Sequence, residues 1–137
     1  MDVIKEIDYW IEQAESDLHC FNPNGGKEQV KKLVISLYVQ GFLHWYHLEN
    51  KGILAYVIIP DYTGDLCVNE LFMYIKPEYR GSIKLFRELV NHLEAAAIIN
   101  NCKTVRMGSN TGFKDEQLLR VLQHFGYKTD LVVKYMR

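Results

Sequence analysis

The spacing of apolar residues predicts two helices at the start of the chain. One apolar face repeats at steps of three and four residues: Val3, Ile4, Ile7, Trp10, Ile11, Ala14 and Leu18. This period is typical of an amphipathic α-helix, so we expect a helix over residues 3–19. A second amphipathic segment runs from Lys27 to Val39 and stops before Gly41, and the loop Asn22–Gly26 separates the two.

From residue 42 the apolar period changes to two, which is typical of strands. The pattern predicts strands over Phe42–Glu49, Gly52–Asp61 and Leu66–Ile75. The turns between them are Asn50-Lys51-Gly52 and Thr63-Gly64-Asp65. Because short turns of this chemistry join antiparallel neighbours, we expect an antiparallel meander of three strands.

The rest of the chain alternates helices with strands. The pattern predicts, in order, a helix over Ser82–Asn100, a strand over Thr104–Gly108, a helix over Asp115–Phe125 and a last strand within Tyr127–Met136. The helix over 82–100 is a crossover, so strands 66–75 and 104–108 are expected to be parallel neighbours that separate toward their C-terminal ends. The predicted order is α-α-β-β-β-α-β-α-β, an α/β fold with a mixed central sheet flanked by helices, as one domain covering residues 1–137.

The composition is that of an ordinary globular domain. The chain has 137 residues, of which 48% are hydrophobic and 24% charged, and its formal net charge is −1. This charge gives no general attraction to nucleic acid or to an anionic membrane, so neither is expected as a partner. The segment Met1–Glu6 lacks the features of a signal peptide, and no apolar run approaches a membrane span. We therefore expect a cytoplasmic protein.

Metal chemistry is not expected. Cys20, Cys67 and Cys102 are widely spaced and lie in apolar contexts, which favours buried thiols in a reducing compartment. His44 and His47 are three residues apart, which places them on opposite faces of a strand. No zinc pattern or nucleotide P-loop is present.

The segment Tyr74-Ile75-Lys76-Pro77-Glu78-Tyr79-Arg80-Gly81-Ser82 is the most informative part of the chain. It connects a strand to the start of an amphipathic helix, where the first amides lack intrahelical partners and the helix dipole favours negative charge. Arg80 adds a cation whose planar fork suits phosphate oxygens. The sequence therefore predicts a phosphate or pyrophosphate cradle at this turn.

This turn, the element order and the later His124-Phe125-Gly126-Tyr127 resemble the GNAT superfamily of acyl-CoA-dependent N-acyltransferases, over roughly residues 42–137. Five residues match the segment that precedes the phosphate-binding signature of the family: Ile75, Pro77, Tyr79, Arg80 and Gly81. Ile83 and Leu85 depart from it, because the family usually has glycine, or glycine or alanine, at these places. The short chain and divergent turn also resemble compact acetyltransferases encoded by phages.

The resemblance implies acetyl-CoA as cosubstrate and an amine-bearing acceptor, which attacks the thioester directly. A backbone amide at the splayed end of strand 66–75 would polarise the thioester carbonyl. The residues that the resemblance assigns to acetyl-CoA are Met73, Tyr74, Ile75, Arg80, Gly81, Ser82, Ile83, Lys84, Leu85 and Asn110.

Glu70 is the candidate catalytic base. It lies ten residues before Arg80, a spacing at which family members often carry a glutamate that accepts a proton from the amine. The alternative is a strand glutamate that faces solvent or pairs with a basic residue. Leu122 stands where the family has its tyrosine acid, so the general acid is not identified; Tyr127 and Tyr135 are expected to pack in the core.

Two functions stay open at this point. One is an N-acetyltransferase, and the other is a GNAT-fold protein that has lost catalysis and binds acyl-CoA or another protein. The acceptor is also open among a small amine, a peptide N-terminus, a lysine side chain and an aminoacyl group, and a homodimer is one assembly that the sequence allows. Most aromatic residues of the strand region are expected in the core: Phe42, Trp45, Tyr46, Tyr56, Tyr62, Phe72 and Tyr74.

Overall fold

The computed structural model of the chain describes residues 2–108 and 115–129. The elements are, in order, α1 (Val3–Leu18), α2 (Gly26–Val39), β1 (Leu43–Leu48), β2 (Gly52–Pro60), β3 (Leu66–Ile75), a 3-10 turn (Pro77–Tyr79), α3 (Ile83–Ile99), β4 (Thr104–Arg106) and α4 (Asp115–His124). This order confirms the predicted one as far as α4, with small shifts at the ends of elements. The last predicted strand falls largely on residues 130–137, which lie outside the described residues.

The strands form one mixed sheet in the order β1-β2-β3-β4. β1 pairs with β2, and β2 with β3, in antiparallel fashion, which confirms the predicted meander. β3 and β4 are parallel and are connected through α3, as expected for a crossover. Their pairing runs only from Cys67↔Thr104 to Asn69↔Arg106. The rest of β3, residues 70–75, therefore extends past its β4 partner while it stays paired with β2.

A bulge in β3 sets the direction of its side chains. Tyr56 pairs with Glu70 but Ala55 pairs with Phe72, so Leu71 is an extra residue in the ladder. Leu71 and Phe72 consequently pack against the same core cluster, although they are adjacent in sequence. No residue pattern indicates this shift, because Glu70 is followed by an unbroken apolar run up to Ile75.

Helices cover both faces of the sheet. α3 packs on one face through its apolar stripe, which includes Leu89 and Leu93, against residues such as Leu54 and Val68. α1 and α2 pack on the other face, where Ile7 and Ile11 contact Ala55. The largest fully buried side chains belong to these layers: Trp10, Ile7, Ile11, Ile53, Leu54, Leu89 and Leu93.

A charge cluster around the buried Lys31 fixes α1 against α2. The Nζ atom of Lys31, on α2, lies 2.8 Å from an oxygen of Asp8 and 2.6 Å from an oxygen of Glu12, both on α1. Burial alone would lower the pKa of Lys31, but the hydrogen bonds from the two carboxylates outweigh it and raise that pKa. The ammonium therefore stays charged and holds α1, whose C-terminal end reaches the turn before α3.

The aromatic residues follow the prediction with two exceptions. Tyr56 and Tyr74 are buried, and Trp45, Tyr46 and Phe72 are partly buried. Phe42 and Tyr62 are instead exposed, at 59% and 90% of their surface, so the expectation of core packing is wrong for them. Both lie outside the strands, Phe42 just before β1 and Tyr62 in the turn between β2 and β3, where the sheet does not cover them.

The chain divides into two compact units, residues 1–107 and residues 108–137. The first contains the whole sheet and α1 to α3. The described part of the second consists of α4 and the residues up to 129, and Leu122 is buried. The single domain predicted for residues 1–137 stays an expectation. Among the described residues, no helix combines the length and apolar character that a membrane span requires.

Candidate functional site

The N-terminus of α3 presents unpaired backbone donors. Ser82 is the N-cap, and its Oγ accepts a hydrogen bond of 3.2 Å from the amide of Leu85. In the described part of the chain no hydrogen-bond acceptor meets the amides of Ile83 and Lys84. The preceding Gly81 has a φ of 87°, a conformation that suits glycine and turns the chain into the helix. These two amides and the helix dipole favour an anion at this end of α3.

A pocket of about 240 Å³ opens beside this helix terminus. Its lining residues are Lys51, Tyr79, Ser82, Lys84, Leu85 and Glu88. Lys51 comes from the β1–β2 turn, so a second basic side chain joins Lys84 near the unpaired amides. The negative charge of Glu88 lies one helical turn further along, where its carboxylate accepts a hydrogen bond of 3.1 Å from the Tyr46 hydroxyl. The two basic residues of the lining therefore come from the β1–β2 turn and the first turn of α3.

Arg80 lies on the α1 side of the turn. Its guanidinium donates to the carboxylate of Asp17 at the end of α1, and this carboxylate also accepts a hydrogen bond of 3.0 Å from the Tyr74 hydroxyl. The guanidinium carbon lies 5.5 Å from the centre of the Tyr74 ring, in the geometry of a cation–π contact. Arg80 therefore ties the cradle turn to α1 as well as carrying positive charge, a role that the sequence analysis did not include.

We expect Asp17 and Arg80 to be energetically coupled. Their side chains are only 23% and 25% exposed, so the pair should contribute about 1 kcal/mol, toward the upper end of the range for ion pairs near the surface. Asp17→Ala, Arg80→Ala and the double variant form a thermodynamic cycle that urea denaturation can measure. The double variant should lose less stability than the sum of the two single losses.

Strictly additive losses would show that the two side chains act independently. Tyr74→Phe is the matched control, because it removes one hydrogen bond from Asp17 but keeps the ring and the ion pair. It should lower stability less than either alanine substitution at the ion pair.

Glu70 lies on the sheet face that α3 covers. It is directly opposite the buried Tyr56, one residue before the bulge at Leu71, and its side chain is partly buried. Here β3 has already run past its last pair with β4, at Asn69. Glu70 thus stands at the point where the β4-facing edge of β3 is no longer paired to a described strand.

A polar cluster next to Glu70 was missed by the sequence analysis. The Tyr56 hydroxyl lies 3.1 Å from Nε2 of His92 on α3. The ring of His44 stacks on Tyr56 with centroids 5.0 Å apart, and that of Tyr46 stacks on His92 at 3.8 Å. No local pattern links these residues, because Tyr56 and His92 are 36 positions apart and meet only once α3 has packed on the sheet.

The environment fixes the protonation of this cluster. Burial lowers the pKa of His92, and the neighbouring His44 lowers it further. Burial also raises the pKa of the Tyr56 hydroxyl. At neutral pH, therefore, Tyr56 keeps its proton, His92 is neutral, and a hydrogen bond joins the Tyr56 hydroxyl and Nε2 of His92.

The lowered pKa of His92 predicts a loss of stability in acid. A histidine whose pKa is lower in the folded state stabilises the protein fully above its unfolded pKa of about 6.5, and this contribution is lost as the pH falls through the folded pKa. The free energy of unfolding should therefore decrease between pH 7.5 and pH 5. Urea midpoints across this range should show a shallower decrease for His92→Gln, whose amide does not titrate. An equal slope in both proteins would contradict the burial of a neutral His92.

The remaining predicted residues divide between the two faces of the sheet. Met73 and Ile75 lie against the α3 core, and Leu85 is buried in it. Tyr74 is buried on the opposite face, so only its backbone could meet a ligand on the α3 side. Asn110 and Tyr135 lie outside the described residues.

The two strand histidines lie on opposite faces, as predicted. His44 stacks on Tyr56 on the α3 face, whereas Nδ1 of His47 lies 3.7 Å from the carboxylate of Glu6 on the α1 face. Within residues 2–108 and 115–129, no group of three histidine, cysteine or acidic side chains is arranged to hold a metal ion.

Comparison with known proteins shows the fold and little sequence similarity. No family model matches the chain, and no curated protein matches it in sequence. Among solved structures, a protein of Clostridium acetobutylicum described as a predicted acetyltransferase with acetyl-CoA has a TM-score of 0.73 and 15% identity, and the alignment covers 97% of this chain and 89% of that one.

Two further structures carry chemical detail in their descriptions. AAC(6')-Iy in complex with the bisubstrate analogue CoA-S-monomethyl-acetylneamine has a TM-score of 0.68 and 13% identity, over 97% of this chain and 92% of that one. Ribosomal-protein-alanine N-acetyltransferase from Brucella melitensis biovar Abortus 2308 has a TM-score of 0.68 and 11% identity, over 98% and 94%. The resemblance to the GNAT superfamily is therefore confirmed for the fold, and the likeness to phage acetyltransferases stays an expectation.

Proposed function

We propose that the chain is an acetyl-CoA-dependent N-acetyltransferase, which moves an acetyl group to an amine by direct attack on the thioester. One observation carries the proposal. Among residues 2–108 and 115–129, no strand pairs with the β4-facing edge of β3 after Asn69, and no acceptor meets the first amides of α3, to which β3 leads through the turn. An extended thioester chain fits such an edge, and a pyrophosphate suits such a helix terminus. The fold shared with acetyltransferases supports this interpretation.

The cradle can function without the glycines that the family usually has. The side chain of Leu85 is only 8% exposed and points into the core, so it leaves the first turn of α3 accessible. The side chain of Ile83 is 48% exposed and is not fixed by close packing. In the proposal the amides of Ile83 and Lys84 hold the pyrophosphate, and the Ser82 hydroxyl and the Lys84 ammonium lie beside it.

The reaction needs an unprotonated amine. In the proposal Glu70 accepts a proton from the acceptor ammonium, and the amine nitrogen then attacks the thioester carbonyl carbon. A backbone amide on the open edge of β3, within residues Met73–Ile75, donates a hydrogen bond to the carbonyl oxygen as negative charge develops there. The C–N bond forms and the C–S bond breaks, so coenzyme A leaves as the thiolate. The nitrogen releases its second proton to solvent as the amide forms, and solvent protonates the thiolate. Holding the two reactants together supplies much of the rate.

The acceptor is proposed only as an amine-bearing small molecule or protein. The compared structures do not agree on one class, because one description names an acetylneamine analogue and another a ribosomal-protein alanine. We propose no nucleic-acid or membrane partner, an action in the cytoplasm, and a monomer or a homodimer as the working form.

A charge placed at the first position of α3 tests the cradle. Ile83→Asp adds a carboxylate that the helix N-terminus itself tolerates well, so the fold should be kept. The same carboxylate should repel a pyrophosphate and weaken acetyl-CoA binding by about 10-fold to 100-fold, in line with like charges a few ångströms apart near a surface. Isothermal titration calorimetry measures this loss.

Ile83→Asn is the matched control, because asparagine has the size of aspartate without its charge. It should bind acetyl-CoA within about 3-fold of the unsubstituted chain, since one uncharged polar group changes binding little when it loses no hydrogen bond. Equal affinities for the Asp and Asn variants would exclude the α3 terminus as the pyrophosphate site.

Removing the basicity of Glu70 tests the chemistry. Glu70→Gln keeps the size of the side chain and should lower turnover about 100-fold at neutral pH, as expected for the loss of a general base. The deficit should shrink as the pH rises, because free amine becomes abundant without a base. Thiol release in the presence of an amine acceptor measures both effects.

Glu94→Gln, an exposed position on α3, is the control and should keep full turnover. If Glu70→Gln leaves both the rate and the pH profile unchanged, Glu70 is a structural strand residue and the base lies elsewhere.

A second function is favoured by one observation. Leu122, which is buried, occupies the place of the family's tyrosine acid. Because leucine has no ionisable group, it supplies no proton to a leaving thiolate. An acyl-CoA-binding or protein-interaction module without catalysis would need no such acid. Binding of acetyl-CoA with no thiol release from any class of amine would favour this module over the enzyme.

A further inference from the structure

The α3 face of the sheet carries, beside Glu70, ionisable side chains to which the proposed reaction gives no role. His44, Tyr56 and Glu70 are directly opposed on β1, β2 and β3 and form one row across the sheet. His92 reaches this row from α3 through the Tyr56 hydroxyl. The row thus starts at the proposed base and ends at a side chain, His44, that is exposed to solvent.

Tyr56 and His92 are both held in place by their neighbours. Tyr56 is only 6% exposed, yet its hydroxyl has a defined partner in Nε2 of His92, 3.1 Å away. The ring of His92 lies between Tyr56, in an edge contact at 5.6 Å, and Tyr46, stacked at 3.8 Å. A buried hydroxyl and an imidazole held in this way exchange a proton without needing a large movement of either side chain.

We propose that Tyr56 and His92 form the exit path for the proton that Glu70 takes from the acceptor ammonium, an inference that rests on the proposed acetyl transfer. They act as positioning residues, because neither needs to touch the substrate. Directly opposed residues on neighbouring strands have Cβ atoms about 5 Å apart, so Glu70 and Tyr56 are neighbours on the α3 face of the sheet.

The proton balance of this path closes. The acceptor ammonium gives one proton to the Glu70 carboxylate. The Glu70 carboxyl passes a proton to the Tyr56 oxygen as the Tyr56 hydroxyl proton moves to Nε2 of His92. Glu70 is then a carboxylate again, Tyr56 is a hydroxyl, and His92 is an imidazolium. The imidazolium releases its Nδ1 proton to water, so the net result is one proton moved from the amine to solvent.

The surroundings of His92 favour this release. The titratable groups that face it are His44 and Tyr46 on β1, Tyr56 on β2, and Glu88, which the Tyr46 hydroxyl binds. Burial and His44 both lower the pKa of His92, so the imidazolium does not keep its proton at neutral pH. Its side chain is partly exposed, which gives the departing proton access to water.

The test compares Tyr56→Phe, His92→Gln and the double variant by the pH profile of acetyl transfer to an amine acceptor. Each single variant should lower kcat about tenfold at pH 7 and leave the KM for acetyl-CoA unchanged. The double variant should be no slower than either single one, because the two residues belong to one path. The wild-type decline in kcat toward acid pH should be altered in His92→Gln. His47→Gln, which removes a histidine on the opposite face, should keep the wild-type profile.

Three results would overturn the proposal: unchanged kcat and pH profile in both single variants, losses that multiply in the double variant, or the same change in His47→Gln. Urea midpoints check that each variant is folded. If His92→Gln proves unstable, Tyr56→Phe still tests the path, because it keeps the buried ring. A wild-type chain that releases no thiol rejects the proposed function and this path together. If the wild-type chain turns over and the variants are as active as it is, only the path is rejected and the proposed function stands.

Discussion

The partner of β3 on its β4 side ends at Asn69, while β3 itself continues to Ile75. Beyond that point, no described strand pairs with the backbone donors and acceptors on this edge of β3. An exposed strand edge of this kind can pair with an extended chain. The same strand leads through the 3-10 turn into α3, whose first amides are also unpaired. One strand therefore supplies both an edge for an extended ligand and, through its turn, a terminus for an anion. The proposed acetyl transfer depends on this arrangement.

The two faces of the sheet contribute differently to this site. On the α1 face, Asp17 holds Arg80 and Tyr74, and the Lys31 cluster holds α1 against α2, so the turn before α3 is fixed from that side. On the α3 face, Glu70 and Tyr56 leave the sheet in the same direction, because they are directly opposed in the β2–β3 ladder. The proposed base and the proposed cradle thus lie on one strand and the turn that follows it, and α1 supports this turn from the other face, which suits a reaction that depends on placement.

Much of the fold could be predicted from the sequence, because its signals are local. Turn residues such as Asn50 and Gly64, and the period of two from Phe42 to Ile75, define the meander, and the crossover rule then orients β4. The candidate site was predictable only in part. The capped terminus at Ser82 follows from the turn chemistry, whereas the Arg80–Asp17 pair and the Tyr56–His92 contact join residues far apart in sequence. The bulge at Leu71 was hidden by the apolar run around it, and it changes which side chains share a face with Glu70.

The central claim is that acetyl-CoA lies along the open edge of β3 with its pyrophosphate at the first turn of α3. A crystal structure of the chain with acetyl-CoA tests this most directly. The account predicts pyrophosphate oxygens within hydrogen-bond distance of the amides of Ile83 and Lys84, and the thioester near Glu70 and the unpaired stretch of β3. Acetyl-CoA bound elsewhere on the chain, or no bound acetyl-CoA at millimolar concentration, would contradict it.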